Sequence, residues 1–216
     1  MVSYIVRSLN SILKEHFNKS DGFADKSVTI LDPAAGTLTF LAETAKLAIK
    51  EFVSKVHEKK ITGSTGKPFK HVVVIGIGGS YLGSEFVSNA LYAYADKGIK
   101  IHYLSNVDIH NFGRVASCID PETTIWVVIS KSYTTAETMA NANLAISFMK
   151  DKGLDPAKHF VTVTSKGSPG DKSSNSILCS FHMFDFIGGR YSVTSAVGGV
   201  PLSLILGYDR FERFLK

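Results

Sequence analysis

The sequence predicts an α/β protein built on one parallel five-stranded sheet flanked by helices, a three-layer α-β-α arrangement. Val72-Val-Val-Ile75 and Ile125-Trp-Val-Val-Ile129 are unbroken apolar runs, which is what a strand covered on both faces requires. Each runs into a loop rich in glycine or hydroxyls, and helix-forming sequence follows at once. Strands parted by single helices imply right-handed crossovers, and these make a parallel sheet wrapped on both faces.

Ahead of the sheet, Val2 to Phe17 carries Ile5, Leu9, Ile12 and Leu13 at helical spacing, then turns at Asn18–Gly22. Val28-Thr-Ile-Leu31 reads as a short strand, Asp32-Pro-Ala-Ala-Gly-Thr37 as a strand-to-helix loop, and Leu38 to about Lys60 as a helix. Ile61 to Lys70 breaks the periodicity with two glycines and a proline and reads as a surface connection. The alternation then begins. Val72–Ile75 is the first strand, Gly76–Ser80 its exit loop, and Tyr81 to Ala95 a helix. Lys100–Leu104 is the second strand, with a helix near Asp108–Cys118. Ile125–Ile129 is the third, followed by a helix from Ala136 to Lys150. Phe160–Thr164 is the fourth strand, trailed by the turn-rich Ser165–Asn175, and Ser180–Phe186 is the fifth. Ala196 to Lys216 reads as two helices parted at Gly207. There is no internal repeat and no low-complexity tract.

Composition narrows the function. With 44% hydrophobic and 20% charged residues, the chain is an ordinary soluble globular sequence with ample material for a core. No apolar run approaches the roughly 18–20 residues of a membrane span, so no membrane partner is expected. The amino terminus has no secretion-signal pattern. Cys118 and Cys179 alone make neither a disulfide framework nor a structural zinc site, so a reduced, cytoplasmic setting fits and no metal or other cofactor is expected. The net charge of +5 suits anionic ligands but forms no dense Lys/Arg tract, and nucleic acid is not an expected partner.

The chemistry centres on Ser130-Lys-Ser-Tyr-Thr-Thr135, at the carboxyl end of a buried strand and the amino end of the next helix. Free backbone N–H groups, a partial positive charge, short hydroxyls and Lys131 converge there, which makes a natural phosphate site. Helix capping by Thr134 or Thr135 would account for one hydroxyl, not for four and a lysine. In such sheets ligands bind beyond the carboxyl ends of the strands, where strand order reverses. Gly76-Ile-Gly-Gly-Ser80 belongs there too, its glycines letting backbone approach a ligand closely. It does not reproduce the dinucleotide fingerprint: position 81 is Tyr, and Leu104-Ser105-Asn106 offers no acidic ribose partner. The third loop is Asp185-Phe-Ile-Gly-Gly-Arg-Tyr-Ser192. Its glycines can turn Arg190 into a cleft as an oxyanion stabiliser. A structural ion pair with Asp185 or another carboxylate accounts for Arg190 equally well.

Together, Gly76–Ser80, Ser130-Lys-Ser-Tyr-Thr-Thr-Ala-Glu-Thr138 and Asp185–Ser192 resemble the glucose-6-phosphate isomerase family, in the same order. The resemblance runs from roughly Phe52 to Lys216 and includes Thr65-Gly-Lys67. It implies that family's amino-terminal sugar-isomerase (SIS) domain and the interconversion of glucose 6-phosphate and fructose 6-phosphate. By resemblance, Ser130, Lys131, Ser132 and Thr135 hold the sugar phosphate, Gly79 and Ser80 line the sugar, and Arg190 stabilises the enediolate. Tyr133 stands where the family carries Phe or Tyr, and Ser132 replaces the commoner Thr.

Aldose–ketose interconversion also needs a carboxylate base and a ring-opening acid/base. In the family these are a glutamate, a histidine and a lysine, all in sequence beyond Lys216, and His57, His71, His102, His110, His159 and His182 sit in no motif that substitutes. They read as surface or packing residues. The alternative reading is therefore a non-catalytic sugar-phosphate-binding SIS module. Family members are dimers, which implies a homodimer, although the surfaces that make it lie largely beyond Lys216. Met1–Ser8 and Val28–Thr37 resemble adenine-N6 DNA methyltransferases, in which a strand and glycine-rich turn of this kind bind S-adenosylmethionine. Leu38 replaces that loop's last glycine, and the catalytic Asn-Pro-Pro-Tyr type tetrapeptide is absent. The expected organisation is a methyltransferase-like appendage over residues 1–56 and a SIS domain over 57–216, joined in the helix between Lys46 and Val56.

Overall fold

The computed structural model describes residues 2–25, 27–30, 39–171 and 177–216. Their elements run α1 (Val2–His16), α2 (Thr39–His57), β1 (His71–Ile75), α3 (Gly79–Ala90), β2 (Lys100–Leu104), α4 (Ile109–Cys118), β3 (Thr124–Ile129), α5 (Ala136–Asp151), β4 (Phe160–Thr164), β5 (Cys179–His182), α6 (Ala196–Leu206) and α7 (Tyr208–Phe214). The five strands form one sheet in the order β2-β1-β3-β4-β5, every neighbouring pair parallel. This is the α/β architecture expected from the sequence.

The central strand explains the layers. All six residues of β3 are buried, so each face of the strand needs its own cover. Ile125, Val127 and Ile129 pack with α2, α3 and α6 through Ile49, Phe52, Val53, Val87 and Val200. Trp126 and Val128 face α4 and α5, where Phe112, Val115, Ala145 and Met149 complete a second core. The Trp126 ring is stacked between Phe112 and Phe160, with centroids 6.4 and 5.8 Å away. Burial of a large apolar side chain contributes about 1.5–3 kcal/mol, so each ring of this stack adds that order of stability to the second core. α1 joins α2 through Asn10 and Lys14, whose side chains bond the Glu51 carboxylate at 2.5 and 2.7 Å.

Four boundaries differ from the sequence reading. Val28–Ile30 form no strand, because the described sheet offers them no partner; Leu31 and the Asp32–Thr37 loop lie outside the described residues. The helix expected to reach Ala95 ends at Ala90, and a 3-10 turn over Tyr92–Tyr94 follows with both tyrosines exposed. The fifth strand stops at His182, beyond which Phe184 and Phe186 stack on each other with centroids 5.4 Å apart. The Ile61–Lys70 connection is not wholly superficial. Phe69 is buried, and Gly63 packs so closely on the His159 ring that a Cβ there would lie 2.7 Å from it.

His159 staples that connection to the sheet. Its Nδ1 lies 2.8 Å from the Thr124 carbonyl and its Nε2 accepts the Ser64 N–H at 2.9 Å, so the neutral ring serves both sides. Burial lowers the basicity of His159, and also of His71 and His102, whose ring nitrogens lie 3.2 Å apart across β1 and β2. Unfolded, each histidine returns toward 6.5, so below that value the unfolded chain binds more protons than the folded one. Their stabilising contribution is complete above the unfolded value and is lost as pH falls through it toward the lower folded values. Thermal unfolding measured from about pH 8 to about pH 5 should show a Tm plateau and then an acid decline, shallower in His159→Leu. A Tm that is flat through this range in the wild-type chain contradicts the assignment.

Candidate functional site

Strand order reverses between β1 and β3, since the chain passes from β1 outward to β2 and returns on the other side to β3. Beyond the carboxyl ends of these strands lies an open cleft of about 660 Å³. Ile77 lines it from the loop after β1 and Ser80 from the first turn of α3, and Ile129 lines it from the end of β3, with Ser130 to Ser132 and Thr135 from the loop that follows. Thr138 lines it from the first turn of α5, and Ser165 to Ser168 from the loop after β4. Of the residues singled out from the sequence, Ser80, Ser130, Lys131, Ser132 and Thr135 thus meet in one place. Gly79 and Arg190 do not line the cleft.

The loop after β3 is shaped by Tyr133, a non-glycine residue at φ +56°. Left-handed backbone costs about 1–2 kcal/mol for such a residue, so its surroundings must hold it there. The half-buried ring packs on Gly170, where a Cβ would come within 2.3 Å, and the Tyr133 N–H donates to Ser130 Oγ at 3.1 Å. The resulting turn brings the hydroxyls together: Ser132 and Thr134 lie 2.7 Å apart, Ser130 and Thr135 3.4 Å. Thr135 occupies the N-cap position of α5, yet its side chain makes no capping bond. Capping therefore does not account for its hydroxyl. Thr138, only 1% exposed, has no hydrogen-bond partner for its Oγ1 among the described residues, nor has the buried Ser165 Oγ. Both residues line the cleft, so two of the buried hydroxyls without a partner among the described residues stand at its wall.

The Arg190 turn is fastened to this cleft from two sides. Lys131 Nζ donates to the Asp185 carbonyl and, at 3.2 Å, to that of Ile187. Gly79 touches Gly189 backbone to backbone, so closely that a Cβ on Gly79 would fall 2.2 Å from the Gly189 carbonyl carbon. Buried Ser192 completes the contact, its hydroxyl donating to the carbonyls of Gly189 at 2.7 Å and Gly79 at 3.2 Å. Gly189 itself, at φ +51°, adopts the backbone that favours glycine. Arg190 is exposed, with its guanidinium 5.8 Å from the Tyr191 ring centroid, and forms no ion pair with Asp185 or any other described carboxylate.

The sequence profile of the phosphoglucose isomerase family matches residues 30–216. The chain belongs to the phosphoglucose isomerase family. Over 181 residues, 81% of its length, it is 71% identical to the glucose-6-phosphate isomerase of Desulfosudis oleivorans, of which it covers 33%. The cytosolic glucose-6-phosphate isomerase of Arabidopsis thaliana is 42% identical over 175 residues, 78% of this chain and 31% of that protein. A crystal structure of glucose-6-phosphate isomerase from Chlamydia trachomatis superposes with a TM-score of 0.75 at 33% identity, over 99% of this chain and 42% of that one. The chain thus spans about a third of the length of the curated relatives it matches.

Sequence reasoning missed Thr138 and the whole Ser165–Ser168 wall. Thr138 stands three residues beyond Thr135 in a helix, a spacing that keeps both on one face and could have signalled it. The contact between Gly79 and Gly189 makes a sharp prediction for this phosphoglucose isomerase family site. Gly79→Ala forces two backbones apart and should cost about 1–3 kcal/mol in urea unfolding. Gly188→Ala, at an extended φ of −156° with open space around its Cβ, should stay within about 0.5 kcal/mol. Equal effects of the two substitutions would refute the close contact.

Proposed function

We propose that this chain forms the phosphate-gripping side of a glucose-6-phosphate isomerase site. Ser130, Ser132 and Thr135 hold the sugar phosphate at the amino end of α5, with Lys131 in the same loop. Ser80 lines the sugar in the cleft, with the Gly79 amide beside it, and Arg190, carried on the adjoining turn by the Gly79–Gly189 contact and outside the cleft lining itself, swings in to stabilise the negative charge that develops on the enediolate oxygen. The observation that carries this reading is the convergence of five cleft hydroxyls with the buried, unpartnered ones of Thr138 and Ser165. The phosphate's oxygens supply the acceptors those groups lack.

A second reading, a sugar-phosphate-binding module without turnover, is favoured by a different observation. Among the described residues, no aspartate, glutamate or histidine lines the cleft. Proton transfer between adjacent sugar carbons needs such a group within hydrogen-bond reach. The resemblance of the first 50 residues to a methyltransferase segment carries no part of either reading, since Leu38 would crowd the cofactor.

Calorimetric titration of the chain with 6-phosphogluconate should give saturable binding. Ser130→Ala combined with Thr135→Val should weaken it by about tenfold or more, each lost bond to a charged group being worth roughly 1.5–3 kcal/mol. Absence of saturation would defeat the reading. A coupled assay for fructose 6-phosphate formation then separates isomerase from binding module: turnover supports the first, binding without turnover the second.

A further inference from the structure

We propose that Lys166, not the Lys131 ammonium, supplies the positive charge opposite the phosphate of the bound sugar. The inference rests on the sugar-phosphate reading above and refines it. Among the described residues, Lys131 and Lys166 are the two cations lining the cleft. A phosphate dianion removed from water needs a charged partner as well as hydroxyl donors. The Lys131 ammonium is committed elsewhere, to the carbonyls of Asp185 and Ile187, where it holds the Arg190 turn. Redirecting it to a ligand would release both carbonyls and loosen that turn.

Lys166 has no such commitment. It is exposed and forms no hydrogen bond or ion pair with any described residue. The nearby anion that could claim it is Asp171, and both carboxylate oxygens of Asp171 are occupied. One accepts the Gly167 N–H at 2.5 Å and the other meets His182 Nε2. Those bonds hold the backbone beside Lys166, and the Lys166 ammonium interacts with the Asp171 carboxylate only through its charge, without a hydrogen bond or ion-pair contact to it. The loop is also tied directly to the phosphate loop. The Lys131 carbonyl accepts the Ser165 N–H at 3.0 Å and the Thr164 hydroxyl at 3.1 Å, and Thr164 Oγ1 lies 2.7 Å from Ser168 Oγ. Lys166 is therefore carried on a braced wall facing the hydroxyls of Ser130 and Thr135, next to the unpartnered hydroxyl of Ser165.

The test is calorimetric titration of the whole chain and its variants with inorganic phosphate and with 6-phosphogluconate. Lys166→Gln should weaken both ligands by about tenfold, and Lys166→Arg should restore affinity to within about threefold, because the charge is kept. Lys131→Gln should weaken inorganic phosphate clearly less than Lys166→Gln does, since its ammonium is bonded to carbonyls and acts on the ligand only through its charge. Saturable wild-type binding that Lys166→Gln leaves unchanged, or a loss in Lys131→Gln as large as in Lys166→Gln, overturns the assignment and leaves the sugar-phosphate reading standing. No saturable binding by the wild-type chain overturns both.

Discussion

No side chain of β3 reaches water, and the rest of the structure follows from that constraint. A strand buried on both faces must be covered by two separate helical layers, and its alternating side chains feed two distinct cores. Its polar chemistry can then appear only where the strand ends. Ser130, the first residue beyond it, is still 3% exposed, so its hydroxyl is fixed by packing before any ligand arrives. The crevice between β1 and β3 arises at this end because β1 and β3 send their following helices to opposite faces of the sheet.

Three loops from distant parts of the chain then have to be held in register, and each junction uses backbone. The Lys131 carbonyl gathers donors from Thr164 and from the loop after β4, tying the loop after β3 to the facing wall of the cleft. The contact of Gly79 with Gly189 does the same for the Arg190 turn, at a distance no side chain would tolerate. Sites assembled from backbone contacts hold their geometry more tightly than sites assembled from long side chains, because few rotamers are left to order. What the cleft lacks is equally physical. Its described lining has hydroxyls and ammonium groups, the donors that an anion needs, and among the described residues no carboxylate or imidazole.

Much of this was legible in the residues. The unbroken run Ile125–Ile129 could only be a central strand, and the hydroxyls after it could only fall at its carboxyl end; both expectations hold. The Val28–Leu31 strand was not borne out in its described part, because β propensity has no meaning without a neighbouring strand to pair with. Histidine roles were legible only coarsely. His159 reads in sequence as one of several packing or surface residues, and its double bond to Thr124 and Ser64 depends on contacts 35 and 95 positions apart. The Ser165–Ser168 wall was read as a turn-rich loop and no more. Its place in the site depends on β4 lying beside β3, which spacing along the chain does not reveal. The Lys131 ammonium was expected at the phosphate, and nothing in a linear sequence shows that two carbonyls more than 50 positions away hold it.

The central claim is one of place: a sugar phosphate sits between the loops after β1, β3 and β4. Amide hydrogen exchange, measured residue by residue with and without saturating 6-phosphogluconate, tests it most directly. The account predicts slowed exchange concentrated at 76–80, 130–138 and 165–168, with α1 and the first turns of α2 unchanged. Protection confined to α1 and α2, or none at saturating ligand, would contradict it.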